Sequence, residues 1–128
     1  MKDASDYLTY IKALIVMNPE VLRWTVLREE AQGDMGMLGY RLTLCDSSLL
    51  EMFEFFQIVK EKVQVIKYSF HWQDMTGQLM KRWDNASHHP ELSASPHHVH
   101  DGKEGNVQPR GPVSAEAVLN LIETEALE

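Results

Sequence analysis

The chain has 128 residues, of which 44% are hydrophobic and 24% charged, and its formal net charge is −7 at pH 7. These values fit one globular domain and exclude a disordered, collagen-like or coiled-coil chain. With one cysteine no intramolecular disulfide can form, and no apolar run approaches the roughly 18 residues of a membrane span. The N-terminus lacks the profile of a signal peptide, so we expect a cytoplasmic protein.

Two helices are predicted, one at each end of the chain. The first has apolar residues at helical spacing from Tyr7 to Ile15, follows a capping residue at Asp3 or Ser5, and ends at Asn18-Pro19. The second is predicted over residues 114–127, with an apolar face formed by Val118, Leu119, Leu121 and Ile122.

Between residues 21 and 84 apolar residues recur at every second position, which is typical of strands. Five strands are predicted, over residues 21–27, 38–44, 49–59, 63–72 and 79–83, and short turns between them favour an antiparallel meander. The third segment also fits a short helix by its Leu, Met and Glu content, but flanking turns and aromatic residues favour a strand.

The predicted fold class is α+β: an N-terminal helix, an antiparallel sheet of about five strands, a His-rich loop and a C-terminal helix. We expect a single domain over residues 1–128, divided into 1–84 (helix and sheet), 85–112 (loop) and 113–128 (helix). Residues 85–112 are rich in Pro and Gly and poor in aliphatic residues, so no regular element is predicted there.

The middle of the chain differs from its flanks in net charge and in histidine content. Residues 60–110 hold seven Lys or Arg, six Asp or Glu and all six histidines, whereas both flanking segments are acidic. An acidic chain argues against nucleic-acid binding by the whole surface. The middle segment is the least acidic, and protonation of its histidines would make it positive.

Three interpretations of the histidines remain open. His71 lies on the fourth strand, and the others are His88, His89, His97, His98 and His100. In the first interpretation the loop histidines are incidental residues of a solvated loop. In the second, His97, His98 and His100 bind a divalent metal, since imidazole is a common metal ligand. In the third interpretation one histidine accepts a proton and another donates one, as cleavage of a phosphodiester through a ribose 2′-hydroxyl requires.

The fourth and fifth strands place polar side chains near these histidines. Alternation predicts Ile66, Tyr68, Phe70 and Trp72 on one face and Lys67, Ser69 and His71 on the other. On the fifth strand Arg82 and Asp84 share one face, and Lys81 and Trp83 share the other. Because the register of the hairpin is unknown, either pair could join His71. Lys67 and Arg82 are candidate phosphate ligands, and Asp84 either orients an imidazole or forms a turn with Asn85.

Three blocks in this region resemble the TumE family of toxin–antitoxin proteins. They are Tyr68-Ser69-Phe70-His71-Trp72-Gln73, Arg82-Trp83-Asp84-Asn85-Ala86-Ser87-His88-His89 and Pro96-His97-His98-Val99-His100. The resemblance implies a toxin encoded beside a helix-turn-helix antitoxin of the TumA type, and RNA cleavage is an expectation by analogy with other small toxins. It assigns the family motif to His71, Trp72, Arg82, Trp83, Asp84, Asn85, His88, His89, His97, His98 and His100.

We therefore expect a type II toxin that cleaves or binds RNA by histidine acid–base chemistry. His71 exchanges protons with His88 or His89, Asp84 orients an imidazole, and the substrate contacts are Lys67, Arg82, Trp72, Trp83 and Asn85. The alternative is a non-enzymatic binding module whose His-rich loop serves structure or metal binding. Apolar residues on both faces of the third strand also predict a homodimer; they are Leu49, Met52, Phe53, Phe55 and Phe56.

Overall fold

The computed structural model describes residues 1–85, 98–101, 107–109 and 113–126. The elements in chain order are α1 (Ala4–Met17), β1 (Val21–Gln32), β2 (Met35–Leu44), β3 (Leu49–Val59), β4 (Lys62–Gln73), β5 (Leu79–Asp84), β6 (His98–Asp101), β7 (Val107–Pro109) and α2 (Ala115–Ala126). The predicted α+β fold is confirmed, and residues 49–59 form a strand as expected. Neither of the two described helices is long and apolar enough to cross a membrane.

In the described part of the chain, all strands belong to one sheet with the order β1-β2-β3-β4-β5-β6-β7. Every neighbouring pair is antiparallel, so the five predicted strands form the expected meander. The expectation that residues 85–112 contain no regular element is wrong for β6 and β7, which extend the sheet beyond β5. Main-chain hydrogen bonds hold such short strands, so they need no apolar alternation.

The ends of α1 follow from local chemistry. Asp3 is the N-cap, and its carboxylate accepts a hydrogen bond from the Asp6 main-chain nitrogen at 3.0 Å. Asn18 ends the helix before Pro19, and its side-chain amide donates to the Leu119 carbonyl of α2 at 3.0 Å. This bond joins the two helices.

The hydrophobic core lies between the helices and one face of the sheet. α1 contributes Tyr7, Ile11 and Ile15, and α2 contributes residues such as Val118 and Ile122. The sheet contributes every second residue of its central strands, namely Leu38, Tyr40, Leu42, Leu44, Leu50, Met52, Phe56, Ile58, Tyr68, Phe70, Trp72 and Trp83. The opposite face of the sheet, which we call the distal face, therefore carries the remaining positions of each strand.

A bulge in β4 changes the predicted alternation. The partners Phe55↔Lys67 and Phe56↔Val65 leave Ile66 as an extra residue. Ile66 is 43% exposed whereas Tyr68 is buried, so the prediction that Ile66 shares a face with Tyr68 is wrong. From Lys67 onward the residues of β4 again alternate between the two faces, and Lys67 lies on the distal face, opposite to Tyr68, as predicted.

Candidate functional site

His71 lies in the centre of the distal face, in a row of residues that crosses five strands. The Cα partners in this row are Arg41, Glu51, His71, Arg82 and His100, on β2 to β6. Because directly opposite residues of antiparallel strands share a face, Arg82 is the neighbour of His71 on β5. The register thereby answers the question that alternation left open: Arg82 and Asp84 join His71, and Trp83 is in the core.

Arg82 and Asp84 form an ion pair next to His71. The Nε of Arg82 donates to Oδ2 of Asp84 at 3.1 Å, and the two side chains are 28% and 5% exposed. Because the Asp84 carboxylate is almost fully withdrawn from water, this charge-assisted bond holds the guanidinium at the distal face. Lys81 is on the other side of β5, where its Nζ lies 3.8 Å from Oε1 of Glu125 on α2.

The main chain of β6 brings two further histidine positions to this region. His98 is the Cα partner of Asp84, and His100 is the partner of Arg82. Position 100 is thus two strands away from His71, about 10 Å at ordinary strand spacing. His88, His89 and His97 lie outside the described residues, so their predicted roles stay predictions.

The predicted metal site also stays a prediction. Its candidate ligands are His97, His98 and His100, and only the main chain of the latter two falls within the described strands. Within the part of the chain that the structure describes, no three His, Cys, Asp or Glu side chains are grouped so that they could hold a metal ion.

Three predicted substrate contacts have structural partners instead. Trp72 and Trp83 are 4% and 2% exposed in the core, and Nε1 of Trp72 donates to Oγ of Ser48 at 3.0 Å. Asn85 accepts a hydrogen bond from the Tyr68 main-chain nitrogen and donates to the Ile66 carbonyl, each at 3.0 Å. The buried indoles offer no ring face to an RNA base, and the Asn85 amide completes the main-chain bonding around the β4 bulge.

Lys67 is exposed on the distal face, as its predicted role requires. It lies four residues before His71 on β4, about 13 Å along the strand. No ion pair involves its ammonium group among the described residues, in contrast to Arg28 and Arg41, which pair with Glu30 and Glu51. Its charge is therefore not neutralised by a described carboxylate.

The family model described as Toxin TumE matches residues 10–128, nearly the whole chain. The chain belongs to the TumE toxin family. Membership supports a toxin role for this TumE-family chain and implies an antitoxin partner. Searches among curated proteins and among solved structures found no match.

A pocket beside His71 in this TumE-family toxin was not identified from the sequence. It has a volume of about 230 Å³ and is lined by residues that include Leu27, Gly39, Glu51, Phe53, Ser69 and His71. Gly39 on β2 supplies no side chain, and a Cβ there would lie 3.2 Å from the Cβ of Arg28. A glycine inside an alternating strand is the one sequence signal that points to this place, because it marks a close approach of neighbouring groups.

Glu54 is a second residue that the sequence analysis missed. It lies on β3, and its side chain is fully buried against the two helices. Its Oε1 accepts a hydrogen bond from the Tyr7 hydroxyl at 2.6 Å, and its Oε2 accepts one from the Ala115 main-chain nitrogen at 2.7 Å. Burial raises the pKa of Glu54 above its ordinary value, although both hydrogen bonds act in the opposite direction. Since Glu54 lies on the core face, it fixes the start of α2 and takes no part in the distal site.

Proposed function

We propose that this chain is the toxin of a type II module and that it cleaves single-stranded RNA on the distal face of its sheet. The observation that carries the proposal is the row Glu51, His71, Arg82 and His100, with the Arg82–Asp84 ion pair beside it. It combines an imidazole, which can accept or donate a proton, with a cation suited to phosphate. The antitoxin of this proposal is a helix-turn-helix protein whose binding blocks the activity.

In the proposed reaction the ribose 2′-oxygen attacks the adjacent phosphorus and the bond from phosphorus to the 5′-oxygen breaks. One imidazole accepts the proton of the 2′-hydroxyl, and a second protonates the departing 5′-oxygen. His71 is one member of the pair. The second comes from the histidines that follow β5, among which positions 98 and 100 lie opposite Asp84 and Arg82, and positions 88 and 89 carry the family motif.

Arg82 and Lys67 hold phosphates in this proposal, and their roles differ. Arg82 is fixed by Asp84 and supports the reacting phosphate, because negative charge builds up on its non-bridging oxygens as the new bond forms. Lys67 is exposed and about 13 Å away along β4, so it contacts a phosphate further along the strand.

The decisive experiment measures cleavage of a single-stranded RNA by the purified chain, with product ends mapped by sequencing. We expect His71→Ala to lower the rate about 10²- to 10⁴-fold, the usual range for one positioned acid or base. Gln73→Ala is the matched control, because Gln73 is on the same strand and face and is also half-buried. A bell-shaped pH profile is expected, because one imidazole must be neutral to accept a proton while the other must be protonated to donate one.

A chelator separates this proposal from the metal interpretation. Activity that persists in chelator supports acid–base chemistry without a metal, whereas activity that is lost and then returns with zinc or manganese assigns the histidines to a metal site. A folded chain that cleaves no RNA at any pH, with or without added metal, would favour the non-enzymatic binding module.

A further inference from the structure

We propose that the pocket beside His71 is a nucleobase subsite that takes an unstacked cytosine in preference to uracil. This subsite rests on the proposed function, since it names which part of an RNA strand lies next to the phosphate at Arg82. Its support comes from the size of the pocket, from the apolar groups in its wall and from the hydrogen-bonding character of Glu51.

The size and position of the pocket fit one base. Phe53 and Ser69 are Cα partners on β3 and β4, and Glu51 and His71 are partners in the next row of the same face. These four side chains form a block about 5 Å by 7 Å, the ordinary spacing of opposite and next-nearest positions in a sheet. Gly39, the partner of Phe53 on β2, has no side chain, and this lets Leu27 and Arg28 of β1 come close and line that side of the pocket.

Two apolar groups are available to stack against a base. The Phe53 ring is half-buried on the distal face, and Leu27 rises from a bulge in β1 with 48% of its surface exposed. Aromatic side chains stack on bases of single-stranded nucleic acids, and loss of such a contact weakens binding measurably. A base that leaves its own stack loses its stacking contacts, and the Phe53 ring offers it a new one.

The polar wall of the pocket contains one carboxylate acceptor, Glu51, and one guanidinium donor, Arg28, which forms an ion pair with Glu30. Oε1 of Glu51 is bonded to Nε of Arg41 at 2.9 Å, and no bond to its Oε2 is found among the described residues. A carboxylate pairs with the 4-amino group of cytosine, whereas uracil presents an oxygen acceptor at the same position. Glu51 therefore distinguishes the two pyrimidines, and the Ser69 hydroxyl can either donate or accept.

The test measures binding of two short single-stranded RNAs that differ at one position, C or U, and carry 2′-O-methyl groups to prevent cleavage. We expect the wild-type chain to bind the C strand about tenfold more tightly, as for one charge-assisted hydrogen bond. Glu51→Gln should abolish this preference, because an amide can donate to the uracil oxygen. Arg41→Gln is its matched control: it breaks the same ion pair but keeps the carboxylate, so the preference should remain.

A second pair of variants tests stacking. Phe53→Ala should weaken binding of both strands about 5- to 150-fold, the usual range for loss of one stacked base. Phe55→Ala removes an equally half-buried ring on the same strand and face, outside this pocket, and should change affinity little. Melting curves confirm that each variant is folded.

The outcomes separate this subsite from the proposed function. Cytosine preference and its loss in Glu51→Gln support the subsite even if unmodified RNA is never cleaved, in which case the cleavage proposal alone fails. Equal binding of C and U strands by a chain that does cleave RNA overturns the subsite alone. If no RNA binds, both proposals are wrong.

Discussion

Glu54 is a buried acid whose two hydrogen bonds join three elements. Its carboxylate on β3 accepts from Tyr7 on α1 and from the first residue of α2. Burial also raises the pKa of Tyr7, with the Glu54 charge acting in the same direction. The positive end of α2 offsets part of the cost of this charge. Because this acid lies in the core, the stability of the fold should depend on pH.

We expect the stability difference between the wild-type chain and Glu54→Gln to depend on pH. Because the folded pKa of Glu54 lies above its ordinary value of 4.5, the protonated acid fits the core better than the carboxylate. The stability that this contributes is complete below pH 4.5 and is lost as pH rises through the folded pKa. Urea unfolding of both proteins from about pH 4 to pH 8 should show the wild type losing stability relative to Gln.

The matching truncation should show the same pH dependence with a larger loss of stability. Glu54→Ala also lacks the titrating carboxyl, and it leaves the Tyr7 hydroxyl and the Ala115 amide without their acceptor, which should cost about 1–3 kcal/mol for each group. A wild-type-minus-Gln difference that stays constant over the whole range would contradict the assigned pKa direction.

At the scale of the element, the hairpin between β3 and β4 carries local strain. Its two turn residues, Lys60 and Glu61, have φ angles of 50° and 64°. A two-residue hairpin with two positive φ angles is the type I′ turn, for which Asn-Gly is the preferred sequence. Neither residue here belongs to the types that adopt this region easily, so packing of the long β3–β4 pair holds the turn in place.

Replacing Lys60-Glu61 with Asn-Gly should stabilise the protein by about 1 kcal/mol, because the strain is relieved without loss of a core contact. Thermal unfolding should show a rise of a few degrees. Gly33→Ala is the opposite control. Gly33 has φ 62°, and no described atom lies within 4 Å of the place that a Cβ would take. The substitution therefore adds backbone strain without a steric clash, and the melting temperature should fall. An unchanged or lower melting temperature for Asn-Gly would show that the turn is unstrained.

The five strands β1 to β5 are predicted because apolar patterns and turns mark them in the sequence. β3 is predicted correctly although its Leu, Met and Glu residues favour a helix, because turns flank it and its aromatic residues favour a strand, and in the structure burial alternates along it without a break. β6 and β7 are missed, since main-chain pairing forms them and they need no apolar pattern. The exposed position of Ile66 is missed because a bulge shifts alternation without a sequence mark.

The candidate site is predictable in composition but not in arrangement. Motif and residue type identify His71, Arg82 and Asp84, and the register that joins them is a property of the folded hairpin. The pocket escapes sequence analysis because its walls are ordinary residues of β1 to β4, which the register of the folded sheet brings together. Alternation places Trp72 on one face of β4 and Trp83 on one face of β5, and the structure shows that the helices cover both of these faces.

At the scale of the molecule, charge is divided between the two sides of the sheet. By register, β1 to β5 place on the distal face the cations Arg23, Arg28, Arg41, Lys62, Lys67 and Arg82 and the carboxylates Glu30, Glu51 and Asp84. The two helices carry one lysine, Lys12, against Asp6, Glu116, Glu123 and Glu125. Although the net charge of the chain is −7, its distal face carries more cations than carboxylates and is suited to a polyanion.

We expect Lys67→Gln to weaken RNA binding and to reduce the dependence of affinity on salt, by about 0.7 in the log–log slope for one lost phosphate contact of a single strand. Lys12→Gln is the control, because Lys12 lies on α1 and its Nζ is 2.6 Å from Oε1 of Glu29. Binding titrations at several salt concentrations measure both slopes. Equal slopes for wild type and Lys67→Gln would exclude a phosphate contact at Lys67.

β1 stands at one end of the sheet, and its pairing with β2 shifts register between Val21 and Arg23 and again between Val26 and Arg28. Each shift bends the strand and increases its twist, so no long flat edge remains on which a strand of another chain could be laid down. Leu22, at the first of these shifts, is 59% exposed. The bulge that places Leu27 beside the pocket therefore has a second effect. It makes the exposed edge of β1 a poor template for pairing with strands of other chains, and so opposes aggregation.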